Sequence, residues 1–211
     1  MEKLDLKKDL KYLYAPSAKK IEVVEVPAFN FIMADGAIEP GHEPGNSPMF
    51  KENMQALYGA AYTLKFMAKL RKENPVDYPV MALEGLWDVT DGIFDIDVKD
   101  NLIYTVMILV PDLVMPEMFA EALAQMRKKK GDQPGFDRLR LEGFHEGLCV
   151  QTMHIGPYAT EPATVARMEA FAQENGYEFC HDHHEIYIGN PLRADPSKLK
   201  TVLRHPVKRI Q

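Results

Sequence analysis

The sequence predicts an α+β fold in which a strand–helix–strand–strand unit occurs twice, giving two antiparallel sheets around a pseudo-twofold axis. The order of a strand, a long helix and further strands repeats along the chain with a period of roughly 110–120 residues. The segment that starts at Phe31 is also faintly similar to the segment that starts at Gln151. We therefore expect one domain over residues 1–211, with repeat 1 over about 20–112, repeat 2 over about 113–211, and a ligand groove at the axis.

The start of repeat 1 predicts a strand followed by a long helix. Residues 21–35 are rich in strand-forming side chains, and residues 39–48 form a turn-rich segment of Pro, Gly, Asn and Ser. Ser47 is a good N-cap, and Pro48 suits the first helical position. Apolar residues then recur at spacings of three and four, which predicts a helix over 48–72.

Three strand patterns complete repeat 1, over residues 80–90, 93–98 and 102–110. Short turn sequences join them, and the Asp91-Gly92 pair is a typical hairpin signal. Strands that follow each other through tight turns pair in antiparallel fashion, so these three segments predict the body of one sheet.

Repeat 2 shows the same order of elements. Its predicted elements are a leading helix over 116–131, a strand over 147–154, a helix over 160–175, and strands over 178–189 and 201–206. A Gly/Pro/Asp-rich linker separates the leading helix from the strand that opens the repeated unit.

Composition limits the functions that are open to the chain. The formal net charge of −6 argues against a nucleic-acid-binding surface. Cys149 and Cys180 are far apart without a CxxC spacing, which favours reduced, buried thiols and a cytoplasmic location. No apolar run approaches the roughly 18 residues that span a bilayer, and the charged N-terminus resembles no secretory signal. We expect no membrane partner.

The most informative segment starts at His183 and ends at Pro191. In a strand, its alternation places Ile186 and Ile188 on one face, and Glu185 and Tyr187 on the other. The isoleucines are typical of a core. The face with a carboxylate beside a phenol is either exposed to solvent or lines a pocket.

The segment around the only tryptophan is a second candidate. Gly85 lies inside a predicted strand, where glycine often marks a bulge or the close approach of a ligand. With a bulge there, Glu84 and Trp87 would turn towards one cavity, and Tyr104 would line the same space. A plain core position for Trp87, and a core position with a tethered hydroxyl for Tyr104, are the alternatives.

His154 ends a predicted strand and leads into a Gly156-Pro157 turn. Glycine permits the turn and proline fixes it, so Tyr158 would lie at the rim of whatever the turn covers. The alternative is that this segment only ends the strand.

Several catalytic signatures are missing from the sequence. It contains no GxGxxG after a strand, no P-loop, no GxSxG and no HExxH. His181, His183 and Glu185 would share a strand face, and two histidines with one carboxylate can hold zinc or iron. A solvated strand start explains these residues better, so we expect no metal and no other cofactor.

Two motifs carry a resemblance to a known family. They are His154-x-Gly156-Pro157-Tyr158 and Glu185-Ile186-Tyr187-Ile188-x-Asn190-Pro191. The chain resembles the GyrI-like small-molecule-binding family, and it is most similar to a free-standing branch whose further markers are Tyr14-Ala15-Pro16, Leu57-Tyr58, Tyr62-Thr63-Leu64-Lys65-Phe66 and Leu83-Glu84-Gly85-Leu86-Trp87. The resemblance implies the tandem strand–helix–strand–strand (SHS2) fold.

The resemblance also implies a groove that takes planar, aromatic and often cationic drugs as partners. For this branch it implies hydrolysis of the cyclopropane ring of duocarmycin-type DNA-alkylating compounds, as a detoxification. The alternative is a non-catalytic module that binds, sequesters or senses such drugs. The first 20 residues are too short for a helix-turn-helix, so we expect no direct DNA binding. The oligomeric state is open between a monomer and a homodimer.

On this basis, roles can be expected for individual residues. Glu185 would deprotonate a water as general base, and Tyr187 or Tyr104 would donate a proton to the dienone oxygen. Glu84 is the alternative base. The residues that would contact the ligand are Trp87, Glu84, Tyr158, His154 and Phe144.

Overall fold

A computed structural model describes residues 1–90, 101–189 and 194–210, and it shows an α+β fold with one large antiparallel sheet. The helices are α1 (Leu6–Asp9), α2 (Lys11–Tyr14), α3 (Pro48–Lys69), α4 (Pro116–Lys130) and α5 (Glu161–Glu174). The strands are β1 (Glu2–Lys3), β2 (Glu22–Val26), β3 (Phe29–Ala37), β4 (Val76–Asp77), β5 (Leu83–Val89), β6 (Leu102–Val110), β7 (Leu139–Phe144), β8 (Gly147–Ile155), β9 (Tyr177–Phe179), β10 (His183–Tyr187) and β11 (Lys200–Arg209).

The large sheet has the strand order β2-β8-β11-β10-β5-β6-β3-β7, and β9 pairs with β11. Outward from the central β5–β10 pair, the order β5, β6, β3 on one side mirrors β10, β11, β8 on the other. This mirror order is the one that a duplicated strand–helix–strand–strand unit would give. The two sheets expected from the sequence are continuous, because β5 and β10 pair along their edges.

Helix α3 covers the half of the sheet that contains β3 and β6. Ser47 caps it, since its Oγ accepts a hydrogen bond from the Phe50 amide at 3.1 Å. The side chains that α3 buries are mostly small, which lets the helix lie close to the sheet: Asn53, Ala56, Leu57, Ala60, Ala61, Leu64 and Ala68. The prediction of this helix is confirmed, and its end lies three residues before the expected one.

Helix α5 covers the other half of the sheet, where Met168 and Ala172 pack against Val150, Leu203 and Val207. Because α3 and α5 lie over the two halves, the central strands β5 and β10 run between them on this face. We call this face of the sheet the helix face. The other face, which the chain around Leu13 and Tyr14 covers in the middle of the sheet, is the opposite face.

Two differences from the sequence-based expectation concern strands of the large sheet. The predicted strand over 178–189 is divided into β9 and β10, with His181 between them at a positive φ of 58°. Strand β7 was not expected, and it forms the edge of the sheet beside β3. The predicted strand over 93–98 and the Asp91-Gly92 turn lie outside the described residues. Among the helices in the described ranges, none combines the length and the apolar character needed to cross a membrane.

Candidate functional site

The helix face between α3 and α5 brings together a carboxylate and a phenol from β10. Glu185 and Tyr187 alternate with the buried Ile186, so both project from this face as the sequence predicts. Trp87 Nε1 on the neighbouring β5 donates a hydrogen bond of 3.0 Å to the Tyr187 hydroxyl. Burial and then the negative charge of Glu185 raise the pKa of Tyr187 well above its usual value.

A hydrogen bond holds Glu185 from the side. His183 Nε2 lies 3.2 Å from Glu185 Oε1, and His183 Nδ1 lies 2.6 Å from His205 Nε2. His205 stacks on Phe179 with ring centroids 4.1 Å apart. Burial, and then the proximity of His183, lower the pKa of His205, so this outer histidine is neutral at pH 7. His183 thus positions Glu185, whose side chain remains 14% exposed on the helix face between α3 and α5, a space that we call the groove.

Glu161, which was not predicted from the sequence, is the second carboxylate of the groove. It is the first residue of α5, it is only 2% exposed, and its Oε1 has no hydrogen-bond partner among the described residues. Burial and then the negative charge of Glu185 raise its pKa to about 9, and the neighbouring Thr201 hydroxyl opposes this only in part. At neutral pH, Glu161 therefore holds a proton.

The sequence contains little to distinguish Glu161. A Glu-Pro pair at a helix start is typical of an ordinary helix N-terminus, where acidic residues stabilise the helix dipole. The only hint is its position three residues after Tyr158, at the end of the turn that the sequence had marked as a pocket rim.

Tyr158 and His154 lie at the end of the groove formed by repeat 2. Tyr158 is 39% exposed, and its ring meets that of Tyr187 edge to face with centroids 6.0 Å apart. Burial and the charges of the two glutamates raise its pKa to about 12. His154 is buried, and its Nδ1 lies 2.9 Å from Thr164 Oγ1, which ties β8 to α5. Tyr158 therefore lies exposed at the edge of the groove, and His154 supports the turn that carries it.

An aromatic cluster closes the other end of the groove. Phe50 of α3 stacks on Trp87 with centroids 5.7 Å apart, and it meets Tyr104 edge to face at 4.9 Å. The Tyr104 hydroxyl accepts a hydrogen bond of 3.1 Å from Asn53 Nδ2, and Tyr104 is 3% exposed. The structure thus places Trp87 next to Tyr187, but it keeps the Tyr104 hydroxyl under α3.

Gly85 provides the space in which the groove side chains meet. A Cβ at this position would lie 2.8 Å from Trp87 Nε1 and 3.3 Å from the Tyr187 hydroxyl. The prediction of a bulge at Gly85 is wrong, since β5 pairs with β6 and β10 in an unbroken register. Glycine at this position instead leaves room for the contact between Trp87 and Tyr187.

Glu84 lies on the opposite face of the sheet from Trp87, because an odd number of positions separates the two residues in β5. It is 1% exposed and accepts hydrogen bonds from the Tyr14 hydroxyl and, at 3.1 Å, from His184 Nε2. Because the register is regular, neighbouring odd and even residues of β5 point to different faces. The expectation that Glu84 and Trp87 share a cavity is therefore wrong.

Glu84 belongs to a buried charge network that also contains Glu146, His184 and Arg204. His184 Nδ1 lies 2.8 Å from one oxygen of Glu146, and Arg204 donates at 3.1 Å to the other. Burial favours the neutral forms, but the charge of Glu146 and the two hydrogen bonds raise the pKa of His184 to about 9. In the same way, the charges of His184 and Arg204 outweigh burial and lower the pKa of Glu146 to about 2.

Phe144 also lies on the opposite face. Its ring meets Phe31 edge to face at 6.2 Å, and both line a cavity of about 10 Å³ beside the charge network. That space is about the size of one water molecule. The structure therefore does not bring Phe144 or Glu84 together with Glu185.

The pattern of histidines and a glutamate that suggested a metal site in the sequence does not form one in the described part of the chain. Within residues 1–90, 101–189 and 194–210, no three His, Cys, Asp or Glu side chains are arranged to hold a metal ion. His183 uses its two ring nitrogens on Glu185 and His205.

Comparison with known proteins connects this geometry to a family. A family model described as a GyrI-like small molecule binding domain matches residues 19–208. An uncharacterized conserved protein from Listeria innocua is 38% identical, with a TM-score of 0.87 over 97% of this chain and 100% of that chain. A hydrolase from the same organism is also 38% identical, with a TM-score of 0.84 over 98% of this chain and 100% of that one.

More distant structures share the fold alone. The C-terminal domain of EcmrR is 12% identical and has a TM-score of 0.55 over 90% of this chain and 98% of that domain. A search of curated proteins finds no match to the sequence.

Proposed function

Because the chain belongs to the GyrI-like small-molecule-binding family, we propose that the groove binds planar aromatic ligands and hydrolyses the cyclopropane ring of duocarmycin-type DNA-alkylating compounds. Such a reaction would detoxify the compound, since adding water to the electrophilic cyclopropane carbon leaves an alcohol that no longer alkylates DNA. The hydrolase names of structural neighbours that are 36–38% identical support the reaction type. The aromatic and acidic groove supports the substrate class.

The observation that carries the proposal is the unequal pair of carboxylates. Glu185 is held by His183 and remains partly exposed, whereas burial and the charge of Glu185 keep Glu161 protonated. A carboxylic acid that stays protonated beside a second carboxyl group is an arrangement that acid–base catalysis uses. The edge of Tyr158 and the Trp87–Tyr187 pair supply aromatic surface beside them.

The reaction can be written with all bonds balanced. Glu185 takes a proton from a water molecule, whose oxygen bonds to the less substituted carbon of the cyclopropane. The carbon–carbon bond to the ring system breaks, and its electron pair moves through the dienone to the carbonyl oxygen. That oxygen takes up a proton and becomes a phenol. General base and general acid catalysis each contribute about 10²–10⁴-fold, which suits a substrate that is already strained.

The structure favours a different proton donor from those expected. Burial raises the pKa of Tyr187 well above its usual value, and the Tyr104 hydroxyl is held under α3 by Asn53. Glu161 carries a proton at neutral pH and lies close enough to feel the charge of Glu185. We therefore assign the role of general acid to Glu161, and we assign to Tyr187 the positioning of Glu185.

The test is turnover of a duocarmycin-type cyclopropanoid by the purified protein, followed by mass spectrometry. Formation of a water adduct should fall about 10²–10⁴-fold in Glu185→Gln, with binding retained. Glu25→Gln is the matched control, because Glu25 is an exposed glutamate of β2, and it should turn over like wild type. Binding of intact compound by wild type without any adduct would contradict hydrolysis and leave a sequestering or sensing module.

A further inference from the structure

A second groove lies between α3 and α4, and it shares no residue with the groove between α3 and α5. It has a volume of about 850 Å³. Three of its apolar side chains are unusually exposed: Tyr62 at 51%, Phe66 at 49% and Leu70 at 74%. Their spacing of four residues places them in one row along α3. A row of large apolar side chains in water is typical of a surface that is covered by a partner.

The two ends of this groove carry opposite charge. Helices α3 and α4 are antiparallel, since Gly59 lies against Met126 while Arg71 donates to Met118 Sδ at 3.0 Å. The lining at the Arg71 end includes two exposed carboxylates, and the lining at the Gly59 end includes two exposed amines. These residues are Glu117 and Glu121, and Lys129 and Lys130. Arg71 reduces the negative charge at its end without cancelling it.

We propose that this groove binds the same groove of a second copy, giving a twofold-symmetric dimer. A twofold axis across the groove reverses the direction of α4, so the acidic end of each copy faces the basic end of the other. Gln125 also lines the groove and lies midway between Glu121 and Lys129 in the helix, so it would lie near the axis. The ridge through Phe66 would pack into the groove of the second copy.

The charge and the shape of this groove both favour a second copy of the chain as its binding partner. A surface whose charge changes sign between its ends is complementary to itself under a twofold rotation, and the apolar ridge and the groove lie side by side in each copy. The interface would leave the groove with Glu185 open, so dimer formation and the proposed hydrolysis can succeed or fail independently.

Sedimentation velocity over a concentration series tests the proposal. Wild type should sediment as a dimer, and Phe66→Glu should sediment as a monomer with an unchanged circular dichroism spectrum. The matched control is Tyr12→Glu, which places the same charge on another exposed aromatic side chain and should remain dimeric. A wild type that is monomeric up to its highest soluble concentration would overturn the proposal, as would a dimer that survives Phe66→Glu.

Two further variants test the orientation. Glu121→Lys and Lys129→Glu should each weaken the dimer about two- to fivefold, and the two together should restore it, because the exchanged charges still face each other. In a Cys180→Ser background, the Gln125→Cys protein should form a disulfide between position 125 of one copy and position 125 of the second copy under mild oxidation. A double variant weaker than either single variant, or a Gln125→Cys protein that stays uncrosslinked while dimeric, would contradict this orientation.

Discussion

Two glutamates on the central pair of strands show how the two faces of the sheet differ. Glu84 on β5 and Glu185 on β10 lie one register step apart, because Glu185 pairs with Gly85 and Glu84 pairs with Ile186. They therefore project to opposite faces. Glu84 is 1% exposed within the network that contains Tyr14, whereas the side chain of Glu185 is 14% exposed.

The two faces of the sheet differ more clearly in charge balance than in burial. On the opposite face, the carboxylates of Glu84 and Glu146 are matched by His184 and Arg204. On the helix face, burial and the charge of Glu185 keep the second carboxyl group, that of Glu161, protonated. Removing one partner from a matched buried network leaves an uncompensated charge, whereas a carboxyl group that burial keeps protonated retains the capacity to exchange its proton.

The largest expected effect comes from breaking the matched network. Glu146→Gln removes the carboxylate that both His184 and Arg204 contact, which leaves buried positive charge without its partner. We expect the free energy of unfolding to fall by about 3–5 kcal/mol in urea denaturation at pH 6. Glu185→Gln is the counterpart on the helix face, and it should cost less than about 1 kcal/mol. Equal losses in the two variants would show that the faces do not differ in this way.

A smaller effect of opposite sign is expected at Glu161. Its raised pKa means that the folded protein retains a proton that the unfolded chain releases, so this residue costs stability increasingly as pH rises from about 4.5 towards about 9. Glu161→Gln should therefore raise the free energy of unfolding by about 1–3 kcal/mol at pH 8 and leave it unchanged at pH 4. The same variant should lose turnover. A destabilised variant at pH 8 would count against a protonated Glu161.

The smallest expected effect concerns the space above Gly85. Gly85→Ala would push the new methyl against Trp87 Nε1 and the Tyr187 hydroxyl. We expect a loss of about 1 kcal/mol in stability and a larger proportional loss of turnover, since Tyr187 would shift beside Glu185. Gly143→Ala is the matched control on β7, where the nearest group to an added Cβ is Asn30 Oδ1 at 3.7 Å. Equal turnover in both variants would argue against a role for the Trp87–Tyr187 contact.

The sequence predicts most of the fold because the patterns are local and strong. Helix α3 follows from the Ser47 cap and its regular apolar spacing, and β5, β6, β8 and β11 follow from their apolar runs. Strand β7 is different, since Leu139 and Leu141 alternate over only a few residues and its pairing comes from β3, which is distant in the chain. That pairing depends on tertiary structure.

The sequence predicts the position of a site residue where the alternation of side chains along a strand alone decides which face the residue occupies. The shared face of Glu185 and Tyr187 follows from the two-residue period of a strand. The predicted face of Glu84 was wrong because a bulge was inferred from Gly85. The glycine is instead needed because Trp87 leaves no room for a side chain at this position. Glu161 was missed because its protonation depends on burial between α5 and the sheet and on a charge from a strand 24 residues later.

The account rests on a groove in which the carboxyl group of Glu161 stays protonated beside Glu185. Infrared spectroscopy of the carboxylic acid C=O stretch, recorded from pH 6 to pH 10 without any ligand, tests this directly. We predict a protonated carboxyl band that persists at pH 7, disappears as pH rises through about 9, and is absent from Glu161→Gln but present in Glu25→Gln. A wild-type spectrum at pH 7 without this band, or an unchanged band in Glu161→Gln, would contradict the account.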